Sequence, residues 1–306
     1  MTIKWEVSDF QVCTSTSNNT KDTLYANNNM QVLVMVMVKA IDPTTGQPYS
    51  LTKTELDSIV LLDLNGQTQE LGGAWRYKDS ENEFDHNLDN SMSVESSPQN
   101  ATQAPKAGFD KKDYWVSTNR VESKIIGAQI KQPDGNTIST NGVGAFDSSV
   151  VLTGVAPPTI SFADLTLRQD TDTANGSSYD QDNYYLTIRN RQVRCLNGPT
   201  YYGSDPYLKR SIAFWNRPED RTIFFMWQVG PRSQVDVGTR GKHTQITVNQ
   251  EANAGCFTRM MMWNTHDERP GYTFDYPYYA LDQCGNPSAP FYPYYSDHNT
   301  LYLHPS

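Results

Sequence analysis

Nowhere in the 306 residues do 18 apolar residues follow one another, and the opening MTIKWEVSDF has no basic segment leading into an apolar run. A membrane-spanning helix and a Sec-type signal are therefore unsupported, and the expectation is cytoplasmic synthesis with any release by a non-Sec route. Cysteine is scarce. Cys13, Cys195, Cys256 and Cys284 are scattered without a C-x-x-C pair, which excludes a zinc ribbon and a dithiol redox motif. Free thiols are expected, with a bridge among the three downstream cysteines as the alternative in an oxidising compartment. Basic charge is also short: 25 Lys and Arg stand against 34 Asp and Glu, for a net charge of −9. That balance argues against a nucleic-acid partner, since phosphate neutralisation needs clustered cations. Catalytic signatures are missing too, with no H-E-x-x-H, G-x-S-x-G, Walker loop or G-x-G-x-x-G. A hydrolase with dispersed carboxylates needs no local signature and stays open as an alternative.

What the chain does contain is strand pattern. In YANNNMQVLVMVMVKA, Tyr25 to Ala40, the valines at 32, 34, 36 and 38 point one way and Leu33, Met35 and Met37 the other. A strand apolar on both faces must be covered on both, so this one reads as central. Ile3, Trp5 and Val7 alternate with polar residues, and Phe10 and Val12 follow on the other face after a bulge. Thr52-Lys53-Thr54-Glu55 has capping-box spacing for a short helix. Asn65-Gly66 closes a hairpin between Ile59 to Leu64 and Thr68 to Leu71, and Pro133-Asp134-Gly135-Asn136 turns Ile125 to Ile130 into Thr137 to Ser139. Residues 79–113 lose periodicity and read as a long mobile loop. Ser149 to Val155 is one more strand before Pro157-Pro158 stops regular structure.

Composition changes at that Pro-Pro step. Upstream lie 10 Lys, 2 Arg and 4 Tyr; downstream lie 2 Lys, 11 Arg and 14 Tyr. Such different surface chemistry predicts separate domains, 1–156 and 157–306. The second again reads as strands: Ile160 to Leu167, Tyr184 to Ile188, Val193 to Leu196, Ser211 to Trp215, Thr222 to Val229, Thr244 to Val248 and Cys256 to Trp263. Within it, Thr222 to Trp227 is apolar on both faces and takes the central place. Beyond Asn264 the Pro-Tyr-rich sequence reads as an extended, aromatic-packed tail, 264–306. The predicted fold class is all-β, with two antiparallel β-sandwich domains in tandem, Ig-like or jelly-roll-like, joined by long polar loops.

Two patterns bear on chemistry. Asp170 and Asp172, followed by Asp180 and Asp182, offer hard oxygen ligands that could wrap a calcium ion. The spacing fails the EF-hand test, so a solvated acidic loop is the simpler reading, and no other cofactor is expected. His266-Asp267-Glu268 reads as an exposed polar triplet, and His243, His298 and His304 are too dispersed to assign a role. Asn18, Asn100 and Asn175 stand in Asn-x-Ser/Thr sequons, for which no glycosylation is expected without a signal peptide. The stronger pattern is aromatic: Tyr201, Tyr202, Tyr207, Trp263, Tyr276, Tyr278, Tyr279, Tyr292, Tyr294 and Tyr295, with Trp215 and Trp227. Rigid amphipathic rings dominate binding hot spots and also stack on sugars. The chain thus reads as a non-enzymatic, toxin-like or lectin-like binding protein, contacting a glycan or protein receptor through its second domain. A self-assembling subunit, with copies of itself as partner, is the alternative.

Overall fold

The structure, a computed structural model, describes residues 5–66, 68–88, 108–142, 146–176, 179–200, 211–217, 221–238, 243–262, 276–295, 297 and 300–306, with side chains at 171–176 and 214–217 outside the description. The chain divides into two compact units, Met1–Pro157 and Pro158–Ser306. Both are built almost wholly from antiparallel sheets, two β-sandwich units in tandem.

In the first unit the elements are β1 (Glu6–Thr14), β2 (Lys21–Tyr25), β3 (Val32–Ile41), β4 (Pro48–Tyr49), α1 (Lys53–Leu56), β5 (Val60–Asp63), β6 (Gln69–Glu70), β7 (Trp75–Lys78), β8 (Asp110–Thr118), β9 (Ser123–Lys131), β10 (Thr137–Ser139) and β11 (Val150–Val155). One sheet runs β1-β3-β8-β7 with β4 added to β3; the other runs β2-β11-β9-β5-β6 with β10 added to β9. The two-faced strand behaves as its pattern dictates. Val32, Val34, Val36 and Val38 are at most 1% exposed, and Leu33, Met35 and Met37 at most 8%. Each such side chain stabilises the fold by about 1.5–3 kcal/mol through burial. β1 flanks β3 with a register shift between Val7 and Asp9, the bulge that carries Phe10 and Val12 into the core. Its free edge is blunted by side chains: the Val7 and Val12 amides donate to Gln132 Oε1 and Ser148 Oγ, both at 2.9 Å. α1 is a single turn closed by the Thr52/Glu55 capping box.

One expectation for this unit needs correction. Residues 110–113, placed in the long loop, are the start of β8, where Met37, Val36 and Met35 pair with Lys111, Lys112 and Asp113. Ion pairs of Lys111 with Asp113 and of Lys112 with Asp57 and Asp79 take up the charges that broke the apolar periodicity. Residues 89–107 of that loop lie outside the described residues. The pairing of β2 with β11 is parallel, not antiparallel.

The second unit comprises β12 (Leu165–Gly176), β13 (Tyr179–Ile188), β14 (Val193–Asn197), β15 (Ser211–Arg217), β16 (Thr222–Trp227), β17 (Ser233–Gly238), β18 (His243–Val248), β19 (Gly255–Met262), β20 (Tyr279–Asp282), β21 (Phe291–Tyr295) and β22 (Leu301–Pro305). A five-stranded sheet, β12-β13-β19-β16-β15, stands at its centre. Because side chains alternate along each strand, its two faces feed two cores. Tyr184, Leu186, Phe224, Met226 and Phe257 pack with Val193 and Leu196 of β14, Ala280 of β20, Phe291 of β21 and Leu301 of β22. Tyr185, Ile223, Phe225, Trp227, Cys256 and Met260 pack with Val235, Val237, Ile246 and Val248 of the β17–β18 hairpin. All six residues of β16 are buried between these layers, which is what its two-faced sequence requires.

Two readings change here, and one strand is new. The acidic run around Asp170 to Asp182 is a strand hairpin, β12–β13, with a register shift between Asp170 and Ala174, and not a solvated loop. β17 carried no sequence expectation. The C-terminal tail also contains regular structure: β20 pairs with β14, and β21 with β22.

Candidate aromatic binding face

The rings singled out in the sequence separate by burial. Tyr278 is core, at 2% exposure; its hydroxyl donates to the Pro199 carbonyl at 3.3 Å, and burial pushes its pKa up to about 12. The chain passes so close over this ring that a Cβ on Gly198 would stand 2.3 Å from Tyr278 Cδ1, which is why glycine sits there. Trp227 is core as well, its Nε1 donating to Thr258 Oγ1 at 2.8 Å. Neither can meet a partner. Tyr201, Tyr202, Tyr207, Trp263 and the His266-Asp267-Glu268 triplet lie outside the described residues, as does the side chain of Trp215. Tyr279 and Tyr292 are half-buried, and Tyr276 is exposed just before β20.

The C-terminal hairpin brings the remaining rings together. In β21 and β22, Phe291, Pro293, Tyr295, Leu301 and Leu303 face inward, while Tyr292, Tyr294, Tyr302 and His304 face out. Register places Tyr294 opposite Tyr302 and Tyr292 opposite His304, so the four outward side chains form one contiguous face. Tyr294 is 49% exposed and Tyr302 47%. The face is braced from below. Tyr295 stacks on buried Phe224 with centroids 5.1 Å apart and planes 17° apart, and Tyr294 stacks on Tyr295 at 6.0 Å and 14°. The His304 ring meets Tyr294 edge-on at 4.9 Å. An exposed ring is thus tied through one half-buried ring to the core, which restricts its rotamers before any ligand arrives.

The segment that carries this face holds few charged residues. Residues 276–306 contain no Lys or Arg. Of the two carboxylates there, Asp282 is buried and consumed by Arg191 Nη1 at 2.7 Å, the Asn286 side chain at 3.0 Å, and the backbone amides of Cys284 and Asn286. The other, Asp297, is exposed beyond the Tyr295 end of β21. Tyr302 and His304 were not among the residues the sequence singled out as contacts. The signal was there: Leu301-Tyr302-Leu303-His304 alternates with period 2, as a half-buried strand should.

Of the acidic residues considered for calcium, Asp180 and Asp182 are engaged by an arginine. Asp182 lies directly across the strand pair from Arg259, which is 1% exposed and forms ion pairs with both Asp180 and Asp182. Gln169 Nε2 also donates to Asp182, at 3.5 Å. Asp170 is half-buried opposite Asn183, and the side chain of Asp172 is outside the description. Among the described residues no group of three or more His, Cys, Asp or Glu side chains converges as a metal ion would require.

No protein-family model matches the chain, and no curated protein sequence matches it. Among solved structures it is similar to the adhesin InvE of Yersinia pseudotuberculosis, at 10% identity and TM-score 0.23, over 93% of this chain and 58% of that one. It is also similar to the fibronectin(III)-like modules of CbhA from Clostridium thermocellum, at 8% identity and TM-score 0.24, over 92% and 90% of the two chains. A third is the C-terminal domain of the antigen I/II-family protein AspA of Streptococcus pyogenes, at 11% identity and TM-score 0.20, over 92% and 96%. The chain spans less than two thirds of the InvE structure. Likenesses this distant carry no argument about function, and the β-sandwich assignment stands on the sheets and cores themselves.

Proposed function

We propose that this protein is a non-enzymatic carbohydrate-binding protein whose contact surface is the outer face of the β21–β22 hairpin. One observation carries the reading: Tyr294 and Tyr302 stand side by side in solvent, and Tyr294 is braced through Tyr295 on buried Phe224. Rings of this kind supply a flat apolar surface at low entropy cost, and their hydroxyls are hydrogen-bonding groups at the edge. The four outward positions hold three tyrosines and one histidine and no aliphatic side chain.

The test is a glycan array with the wild-type chain and the Tyr294→Ala/Tyr302→Ala double variant. Retained hits on the wild type that vanish in the variant support the reading. Equal binding by both proteins, or no binding by the wild type, sinks it.

A further inference from the structure

The aromatic face does not end at the hairpin. Tyr278 and Phe291 exchange both backbone hydrogen bonds at 2.9 Å, and the Ser288 amide donates to the Ala280 carbonyl at 2.8 Å, which joins β20 to the chain entering β21. On its other side β20 pairs with β14. The strands β14, β20, β21 and β22 therefore lie side by side over one core. We infer that the ligand is an oligosaccharide of several linked units that crosses this layer, with Tyr279 and Tyr292 as a second contact point beyond Tyr294 and Tyr302. The inference rests on the carbohydrate-binding reading above and extends it.

Alternation along each strand fixes what this layer shows to solvent. Leu196, Tyr278, Ala280 and Phe291 are in the core, so Asn197, Tyr279 and Tyr292 point out. Asn197 is exposed directly opposite Tyr279, and the Tyr278–Phe291 pairing makes Tyr279 and Tyr292 diagonal neighbours across β20 and β21. Directly opposed side chains stand about 5 Å apart, residues two apart on one strand about 7 Å, and diagonal neighbours about 7–8 Å. Tyr302, Tyr294, Tyr292 and Tyr279 thus mark a continuous path over β22, β21 and β20, too long for a single pyranose to cover. Each ring offers an apolar face and a hydroxyl, and the Asn197 amide adds a donor and an acceptor at the far end; these are the groups that pair with a sugar's C–H face and hydroxyls. A chain already held at Tyr294 and Tyr302 meets the second pair intramolecularly, without losing translational freedom a second time. Ligand length therefore sets affinity.

The experiment is a calorimetric titration of the whole chain with size ladders, from disaccharide to hexasaccharide, of cello-, malto-, manno- and chito-oligosaccharides and of hyaluronan. Within a series that binds, the hexasaccharide should bind at least about tenfold more tightly than the disaccharide, a readout that needs no variant. Tyr279→Leu/Tyr292→Leu keeps apolar packing at both positions while removing the flat rings. It should lower hexasaccharide affinity about tenfold and leave the disaccharide within about twofold, whereas Tyr294→Ala/Tyr302→Ala should lower both. Thermal melting of each double variant close to that of the wild type confirms that the fold is retained. Equal affinity along the ladder, or a hexasaccharide indifferent to Tyr279→Leu/Tyr292→Leu, overturns the inference and leaves the carbohydrate reading standing. Silence in every series, or binding indifferent to Tyr294→Ala/Tyr302→Ala, overturns the carbohydrate reading itself.

Discussion

Two hairpins lie against opposite faces of the central sheet of the second unit, and they treat solvent differently. In β17–β18 the inward residues are Val235, Val237, Ile246 and Val248, and the outward ones include Asp236, His243 and Gln245. In β21–β22 the inward residues are Phe291, Tyr295, Leu301 and Leu303, and the outward ones are Tyr292, Tyr294, Tyr302 and His304. Both satisfy the rule that a hairpin must bury one face to be stable. Their attachment differs too. Beside the β17–β18 core, the Thr247 carbonyl accepts from Gln181 Nε2 at 2.8 Å and Asn183 Nδ2 at 3.0 Å, and Thr258 and Trp227 extend that buried polar network. The C-terminal hairpin is attached through apolar packing, the Phe224–Tyr295 stack and a pair of backbone hydrogen bonds between Phe291 and Tyr278, both at 2.9 Å. Since β17–β18 covers its face with an ordinary polar exterior, the fold does not demand exposed rings on a covering hairpin. Stability alone therefore does not require the aromatic exterior of β21–β22.

The severest test removes the sheet on which both hairpins rest. Arg259→Leu would leave Asp180 and Asp182 facing each other without their cation, and should cost about 3–5 kcal/mol. Denaturant unfolding followed by tryptophan fluorescence would register it. A loss below about 1 kcal/mol would show that the ion-pair cluster does not hold the sheet. Next come the inner faces. Ile246→Ala and Leu301→Ala should each destabilise by about 2–5 kcal/mol, because both side chains are almost fully buried. Similar losses would establish that the hairpins are equivalent inside; a small loss for Leu301→Ala would mean the C-terminal hairpin is not seated by its core.

A pH scan provides a control that touches neither hairpin. Burial raises the Asp22 carboxyl on β2 to about 6, against the opposing hydrogen bond from the Thr23 amide at 2.7 Å. The folded state therefore holds this proton more tightly than the unfolded state does. Its contribution is fully present below about pH 4 and is lost as pH rises through about 6. The discounted size, for a group that is half-buried, is about 1–2 kcal/mol. Between about pH 4 and 7 the urea midpoint of the wild type should fall relative to that of Asp22→Asn, which carries no titrating group there, and a pH slope unchanged by the substitution rejects the assignment. The smallest stability effect is predicted for the outer faces. Tyr294→Ala/Tyr302→Ala and Asp236→Ala/Gln245→Ala replace exposed cross-strand pairs at matching places, and each should stay within about 0.5 kcal/mol per residue. Only the tyrosine pair should change glycan affinity. Equal effects of the two doubles on binding would erase the distinction between the hairpins.

Several elements were legible because their causes are local. The two-faced apolar runs at Val32 to Val38 and Thr222 to Trp227 became the most deeply buried strands of their units, since such a strand has no stable place at a surface. The Thr52/Glu55 capping box, the Asn65-Gly66 hairpin and the Pro133 to Asn136 turn depend on residues within a few positions of one another. Strand β21 was hidden by Pro290 and Pro293, which interrupt its period-2 signal; Pro293 is tolerated because a two-stranded hairpin leaves room for a residue with no amide proton to donate. Arg259 and Asp182 are 77 positions apart, and nothing local announces that they will be cross-strand neighbours.

The candidate site divides in the same way. Composition by itself determined that the second half of the chain is rich in tyrosine and that its last 31 residues hold no Lys or Arg, because these are properties of the residues and survive any folding. Tertiary structure alone decided which tyrosines meet water. Tyr278 and Tyr294 look alike in the sequence, each beside another tyrosine and one residue from a proline. Strand register and the packing of β20 and β21 send the first into the core and leave the second, stacked on Tyr295, at the surface.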